Sequence, residues 1–148
     1  MKRFINVHTG EVMAGKDEIV LHSDTHAACM VIVAYDPNAK IGGLAHAMFT
    51  PHNGNTRKYK HMRDADHAID EMVNDMSALG ATKDNIEVCL VTGENVPREE
   101  TDAEYQENLK EVLGVLKKKS IRCREETTKD IGRLHVTFDI ETGDIVYN

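Results

Sequence analysis

The chain has no tryptophan, only three prolines and three cysteines in 148 residues, and no long apolar run. Each scarcity excludes something. A membrane span takes roughly 18 unbroken apolar residues, and the richest stretch here, Ala27 to Tyr35, falls far short of that. The opening MKRFINVHTG carries basic side chains but no apolar core, so no secretory signal is expected there. Cys29, Cys89 and Cys123 are odd in number and widely spaced, with no CxxC pair. That fits reduced thiols in a cytoplasmic protein better than a disulfide framework. Basic charge is also scarce: 18 Lys and Arg stand against 25 Asp and Glu, a net charge of −7. A nucleic-acid or anionic-membrane partner would need a basic patch. The one compact basic run, Lys117-Lys118-Lys119, reads as a helix end, where cations offset the macrodipole.

What is present suits a globular fold. With 41% hydrophobic and 29% charged residues, 1–148 reads as a single domain able to bury a core without staples. Short strands are expected at Phe4–Val7, Glu11–Met13 (closed by Gly15) and Ile19–Leu21, followed by a polar run over 22–28. Residues 29–35 and 41–49 read as two strands joined by an Asp36-Pro37-Asn38 turn. Residues 50–63 hold Pro51, Asn53-Gly54 and four Lys or Arg, and read as a loop at the mouth of a site. Through Arg57, Lys58, Lys60 and Arg63 that loop could steer an acidic helical protein.

Asp64 is expected to cap a helix to Leu79, whose apolar side repeats every 3.6 residues and which Gly80 ends. A buried strand over Ile86–Val91 runs into a loop at 92–97. Thr101 and Glu104 suggest a capping box for a second helix over 102–119, with Tyr105, Leu109, Val112, Leu113 and Leu116 facing the core. Ile121–Arg124 reads as a strand leading to a polar loop, 125–130. Leu134–Phe138 and Asp144–Tyr147 form a hairpin across Glu141-Thr142-Gly143. The sum is an α/β domain with a mixed sheet.

The chemistry concentrates between Ser23 and His46. A hairpin returns its far ends to one another, so Cys29 at the start of one strand and His46 within the next can meet as thiol and imidazole. A thiolate is the nucleophile, and a neighbouring imidazolium lowers the thiol pKa from its usual value of about 8.5. A third group orients such a histidine through its other nitrogen, and Ser23, Asp24 and Thr25 are the candidates. The plainer alternative makes Cys29 a small core residue and leaves His46 facing solvent. Zinc is the competing chemistry: His22-x3-His26, with Cys29, His46 and His8, offers nitrogen and sulfur ligands. Yet histidines four apart share a face only on a helix, and this segment is rich in turn formers. Cys89 and Cys123 read as structural thiols, and His52, His61 and His67 as surface residues.

The run C-x-V-x-V-x-Y-D-P-x-x-K-I-G-G-L-A-H, Cys29 to His46, resembles the signature of the CheD chemoreceptor glutamine deamidases, which share its cysteine-to-histidine separation. Lys58-Tyr59, the helix ending Leu79-Gly80-Ala81 and FDIETGDIVY at 138–147 are similar more weakly. The resemblance implies an α/β (α+β) sandwich of mixed β-sheets with two long flanking helices, spanning 1–148 as one CheD-like domain. It implies Cys29 as nucleophile, His46 as general base and Ser23, where the family has a threonine, as the group orienting His46. It further implies a cytoplasmic enzyme without cofactor or resident metal that converts glutamine to glutamate on chemoreceptor cytoplasmic helices. A CheC-type phosphatase is the implied second partner. The chain departs from the family at its glycine-rich L-G-x-G-S-C approach, which is Asp24-Thr25-His26-Ala27-Ala28-Cys29 here. Later glycine pairs are replaced at Thr92-Gly93-Glu94 and at Asp130-Ile131-Gly132-Arg133. A divergent member is implied, and a non-catalytic partner of receptor or phosphatase is the alternative function.

Overall fold

A computed structural model describes residues 2–8, 10–26, 29–48, 65–95, 99–131 and 133–147. Among them, β1 (Arg3–Asn6), β2 (Val12–Lys16), β3 (Ile19–His26), β4 (Cys29–Asp36) and β5 (Ile41–Met48) precede helix α1 (Ala65–Leu79). A 3-10 turn at Lys83–Asn85 leads into β6 (Glu87–Asn95), helix α2 (Glu99–Lys118), β7 (Arg122–Ile131), β8 (Arg133–Asp139) and β9 (Asp144–Tyr147). The strands form two mixed sheets, ordered β1-β3-β8-β9 and β2-β5-β4-β6-β7. Within them β1 with β3 and β6 with β7 run parallel, and every other pair is antiparallel.

The MVIVAY segment shows how the sequence builds these layers. Side chains alternate across a strand, and β4 is central in its sheet, so both its faces are covered. Met30, Ile32 and Ala34 pack with Ile69, Met72 and Met76 of α1 and Val112 and Leu116 of α2. Val31 and Val33 pack with Leu21, Val136 and Phe138 of the other sheet. A run apolar at every position is what a strand buried on both sides requires. The result is an α/β sandwich: one sheet lies against the other, and both helices cover the outer face of the five-stranded sheet.

Gly42 and Gly43 fit within β5 because each meets a large neighbour. A Cβ at Gly42 would overlap the Phe138 ring, and one at Gly43 would stand 2.8 Å from Met72 Cγ. Phe138 is fully buried and meets Tyr35 edge-on at 5.4 Å. Gly42→Ala is therefore expected to cost about 1–3 kcal/mol through overpacking, read as a lower midpoint in urea. Unchanged stability would mean that the two sheets can part freely at this point.

Five expectations need correction. The polar run after Leu21 is strand: β3 continues to His26, paired residue for residue with β8 from Val20↔Asp139 to His26↔Arg133. Likewise Thr92–Asn95 belongs to β6 and 125–130 to β7, the two joined in parallel with a register shift between Gly93 and Asn95. Gly15 lies inside β2 rather than closing it. Helix α2 begins at Glu99, so Thr101 is within the helix and cannot be its N-cap. Asp64 and the basic loop, with His52 and His61, lie outside the described residues.

Lys117 and Lys118 occupy the last turn of α2, as the basic run suggests. Lys119, just beyond, reaches Asp66 at 2.7 Å and Asp70 at 2.5 Å, tying the end of α2 to the start of α1. The hydrogen bond from Lys119 holds the Asp66 carboxyl below its ordinary value.

Candidate active site

Two strands from different sheets meet at the centre of the candidate site. Alternation along β3 turns Leu21 and Ser23 inward, and along β5 it turns Leu44 and His46 toward the same inter-sheet space. Ser23 and His46 are buried, so His46 does not face solvent. Ser23 Oγ lies 2.9 Å from His46 Nδ1, and its hydroxyl donates to the Val7 carbonyl at 2.9 Å.

That geometry fixes a proton. A hydroxyl has one hydrogen to give, and Ser23 gives it to Val7. Toward His46 it can only accept, so Nδ1 carries the N–H and Nε2 holds the lone pair of the neutral ring. An imidazole held in this tautomer can take a proton at Nε2. Ser23, one of the three candidates for the orienting group, makes this contact. Asp24 is one residue on, at a position of the opposite face.

Cys29 is placed by register. It stands opposite Met48, while Val31 stands opposite His46. Residues 29, 31, 46 and 48 thus occupy one face of the sheet, with positions 29 and 46 on a diagonal. Such diagonal neighbours are about 7–8 Å apart between backbones, within reach of long side chains. At Cys29 the structure describes the backbone alone.

The turn joining β4 to β5 sets this register. Asp36 is buried and accepts N–H bonds from Asn38 and Ala39 on Oδ1 (3.0 and 3.1 Å) and from Thr82 on Oδ2 (2.8 Å). Lys40, at φ 57°, donates its N–H to the Asp36 carbonyl. The D-P-N sequence signals a turn, but the reach of Asp36 to the loop after α1 has no local signature.

The histidines proposed for zinc are dispersed. His22 and His26 lie on a strand, where residues four apart do share a face but are separated by about 13 Å. His22 points away from Ser23 and His46, bonding Thr137 Oγ1 at 2.8 Å and stacking against His135 at 6.3 Å. His8 is exposed. No group of three or more His, Cys, Asp or Glu among the described residues could hold a metal ion.

Of the other thiols, Cys89 is buried in the inter-sheet core, as the sequence suggests. Cys123 differs: β7 is an edge strand and the residue is exposed. Even so, desolvation of its sulfur, then the charge of Glu125, push its pKa up to about 11.

A buried histidine whose tautomer is set by a hydroxyl from the opposite sheet, diagonal on the ladder to a cysteine position, is an arrangement suited to acyl chemistry. A family model for CheD, described as chemotactic sensory transduction, matches residues 48–148. The "Probable chemoreceptor glutamine deamidase CheD" of Chlorobium luteolum is 31% identical over 95% of this chain and 70% of its own length. The similarly titled protein of Pyrococcus abyssi is 29% identical over 98% of this chain and 91% of its own. The "Chemoreceptor glutamine deamidase CheD" of Thermotoga maritima is 27% identical, covering 99% and 90%. The chain belongs to the CheD family. In fold it is similar to a crystal structure of a Neisseria meningitidis DUF152 protein, with a TM-score of 0.53 over 92% of this chain and 74% of that one at 8% identity.

Proposed function

We propose that this chain, 1–148 acting as one CheD-like domain, is a cysteine-dependent deamidase of the cytoplasmic helices of chemoreceptors. The observation that carries the reading is the buried Ser23–His46 pair, diagonal in register to Cys29, in a chain of the CheD family. His46 Nε2 takes the Cys29 proton, and the thiolate attacks the carboxamide carbon of a receptor glutamine. The tetrahedral intermediate collapses as the imidazolium protonates the departing ammonia, leaving a thioester. Water, deprotonated by the same nitrogen, then releases glutamate and restores the thiol. The residues that do this bring their own acid, base and nucleophile, so the reaction calls on no cofactor. The work is done in the cytoplasm, where receptor helices are exposed, and a CheC-type phosphatase is the second proposed partner.

The test is incubation with receptor cytoplasmic fragments, reading ammonia and the conversion of glutamine to glutamate by mass spectrometry. Alkylation with iodoacetamide supplies a second measure. Cys29 should label rapidly near neutral pH, since a paired imidazole keeps its thiolate populated. Cys123, with its pKa near 11, is protonated there and should label slowly, accelerating only as the pH rises toward that value. Cys29 labelling no faster than Cys123, with no ammonia released, counts against an enzyme.

A second reading keeps the fold and the partners but not the turnover. It is favoured by the approach to Cys29, where β3 stays in regular pairing through Asp24, Thr25 and His26 while the resemblance leads one to expect glycines. Receptor binding without glutamate formation would select it.

A further inference from the structure

The hydroxyl of Ser23 is usable in either direction. Were it to donate to His46 Nδ1, the ring proton would sit on Nε2, and the histidine could not accept a proton from a thiol. What prevents this is the Val7 carbonyl, which takes the hydroxyl hydrogen at 2.9 Å. The location of that carbonyl is therefore as important as Ser23 itself, and it lies on the short connection between β1 and β2.

That connection is closed on itself and fastened to both partners. Val7 N–H donates to the His22 carbonyl at 2.8 Å, next to Ser23. Gly10 N–H donates to the His46 carbonyl at 3.0 Å, and His46 N–H donates to the Glu11 carbonyl at 3.1 Å. Both backbone groups of His46 are thus held by the same few residues that hold Ser23. Between the two anchorages, Glu11 N–H donates to the His8 carbonyl at 2.9 Å, and Glu11 Oε1 accepts the His8 N–H at 2.7 Å. Gly10, at φ 85°, supplies the left-handed residue this tight return needs. The carboxylate of Glu11 is the only side-chain group among the described residues of this turn seen closing it.

We propose that the turn from His8 to Glu11 is a bracket that sets the proton of His46 on Nδ1, with Glu11 as its positioning residue. Glu11 acts through Val7 and Ser23, and touches neither thiol nor substrate. This inference rests on the reading of His46 as the base. Without the Glu11 carboxylate, the Val7 carbonyl is no longer held at one distance from Ser23. The hydroxyl then divides between Val7 and Nδ1, and the imidazole between its two neutral forms.

The experiment uses the full chain with Glu11→Ala and Glu11→Gln, the latter keeping an acceptor oxygen. Should Glu11→Ala fail to fold, Glu11→Leu keeps the bulk without the acceptor. Long-range proton–nitrogen spectra of the imidazole identify the tautomer without reference to activity. Wild type and Glu11→Gln should show one Nδ1–H species. Glu11→Ala should show both tautomers, with kcat lowered about tenfold, the low end of the loss seen when the hydrogen-bond partner that orients a metal-bound histidine is removed, and KM for a receptor fragment unchanged. A single Nδ1–H species with undiminished kcat in Glu11→Ala overturns the inference, as does an equal loss in Glu11→Gln. If wild type forms no glutamate, the deamidase reading fails, and the nitrogen spectra alone decide the role of the bracket.

Discussion

Replacing Cys29 by alanine or serine is expected to lower kcat for receptor deamidation by on the order of 10⁴-fold or more, since losing the nucleophile of a coupled pair removes its whole contribution. Receptor binding should survive, because Cys29 opens a strand whose packing is carried by Met30 through Ala34. Serine should be little better than alanine. An alcohol lies far above a thiol in pKa, and an imidazole that can shift a thiol proton leaves an alcohol almost wholly protonated. The measurement is ammonia release by variants shown to bind the receptor fragment as wild type does. Retained turnover in Cys29→Ala would remove the covalent mechanism and return the cysteine to the core.

The largest loss of stability is expected at Asp36. Asp36→Ala strips three backbone N–H groups of their acceptor, two in the β4–β5 turn and one at Thr82. Leaving partly buried donors unpaired should cost about 3 kcal/mol or more, measured by urea denaturation. Asp36→Asn should fall between, since its amide oxygen can still serve the turn while its nitrogen meets the Thr82 N–H. The consequence reaches the site. A slip of one residue in the β4–β5 pairing turns every side chain of one strand to the other face, which would carry His46 from Ser23 to the helix side. Activity should therefore fall more steeply than the folded fraction. A stability equal to wild type would show that the pairing of β4 with β5 needs no anchored turn.

Much of the fold was legible where local signals and burial agree. MVIVAY, the D-P-N turn and IGGLAH gave β4 and β5, the 3.6-residue apolar period gave α1, and the Glu141-Thr142-Gly143 turn gave β8 and β9. The illegible parts are polar strands. His22–His26 in β3, Thr92–Asn95 in β6 and 125–130 in β7 are strand because a distant neighbour pairs with them, and no local pattern records that neighbour. The same cause hid the choice among Ser23, Asp24 and Thr25. Once β3 is known to continue through them, alternation from Leu21 puts positions 23 and 25 on the inner face, and the bond to His46 singles out Ser23. The sequence offered His46 as either a base or a surface residue, and only the second sheet decides that it is enclosed.

Ser23 hangs from one sheet and His46 from the other, so the bond between them works as a caliper on the gap. Any breathing motion that parts the layers by even an ångström opens this contact while leaving each ladder of strands whole. The tautomer of a single ring thus reports how tightly two slabs of the protein are pressed together, and warming should silence the site before either slab melts.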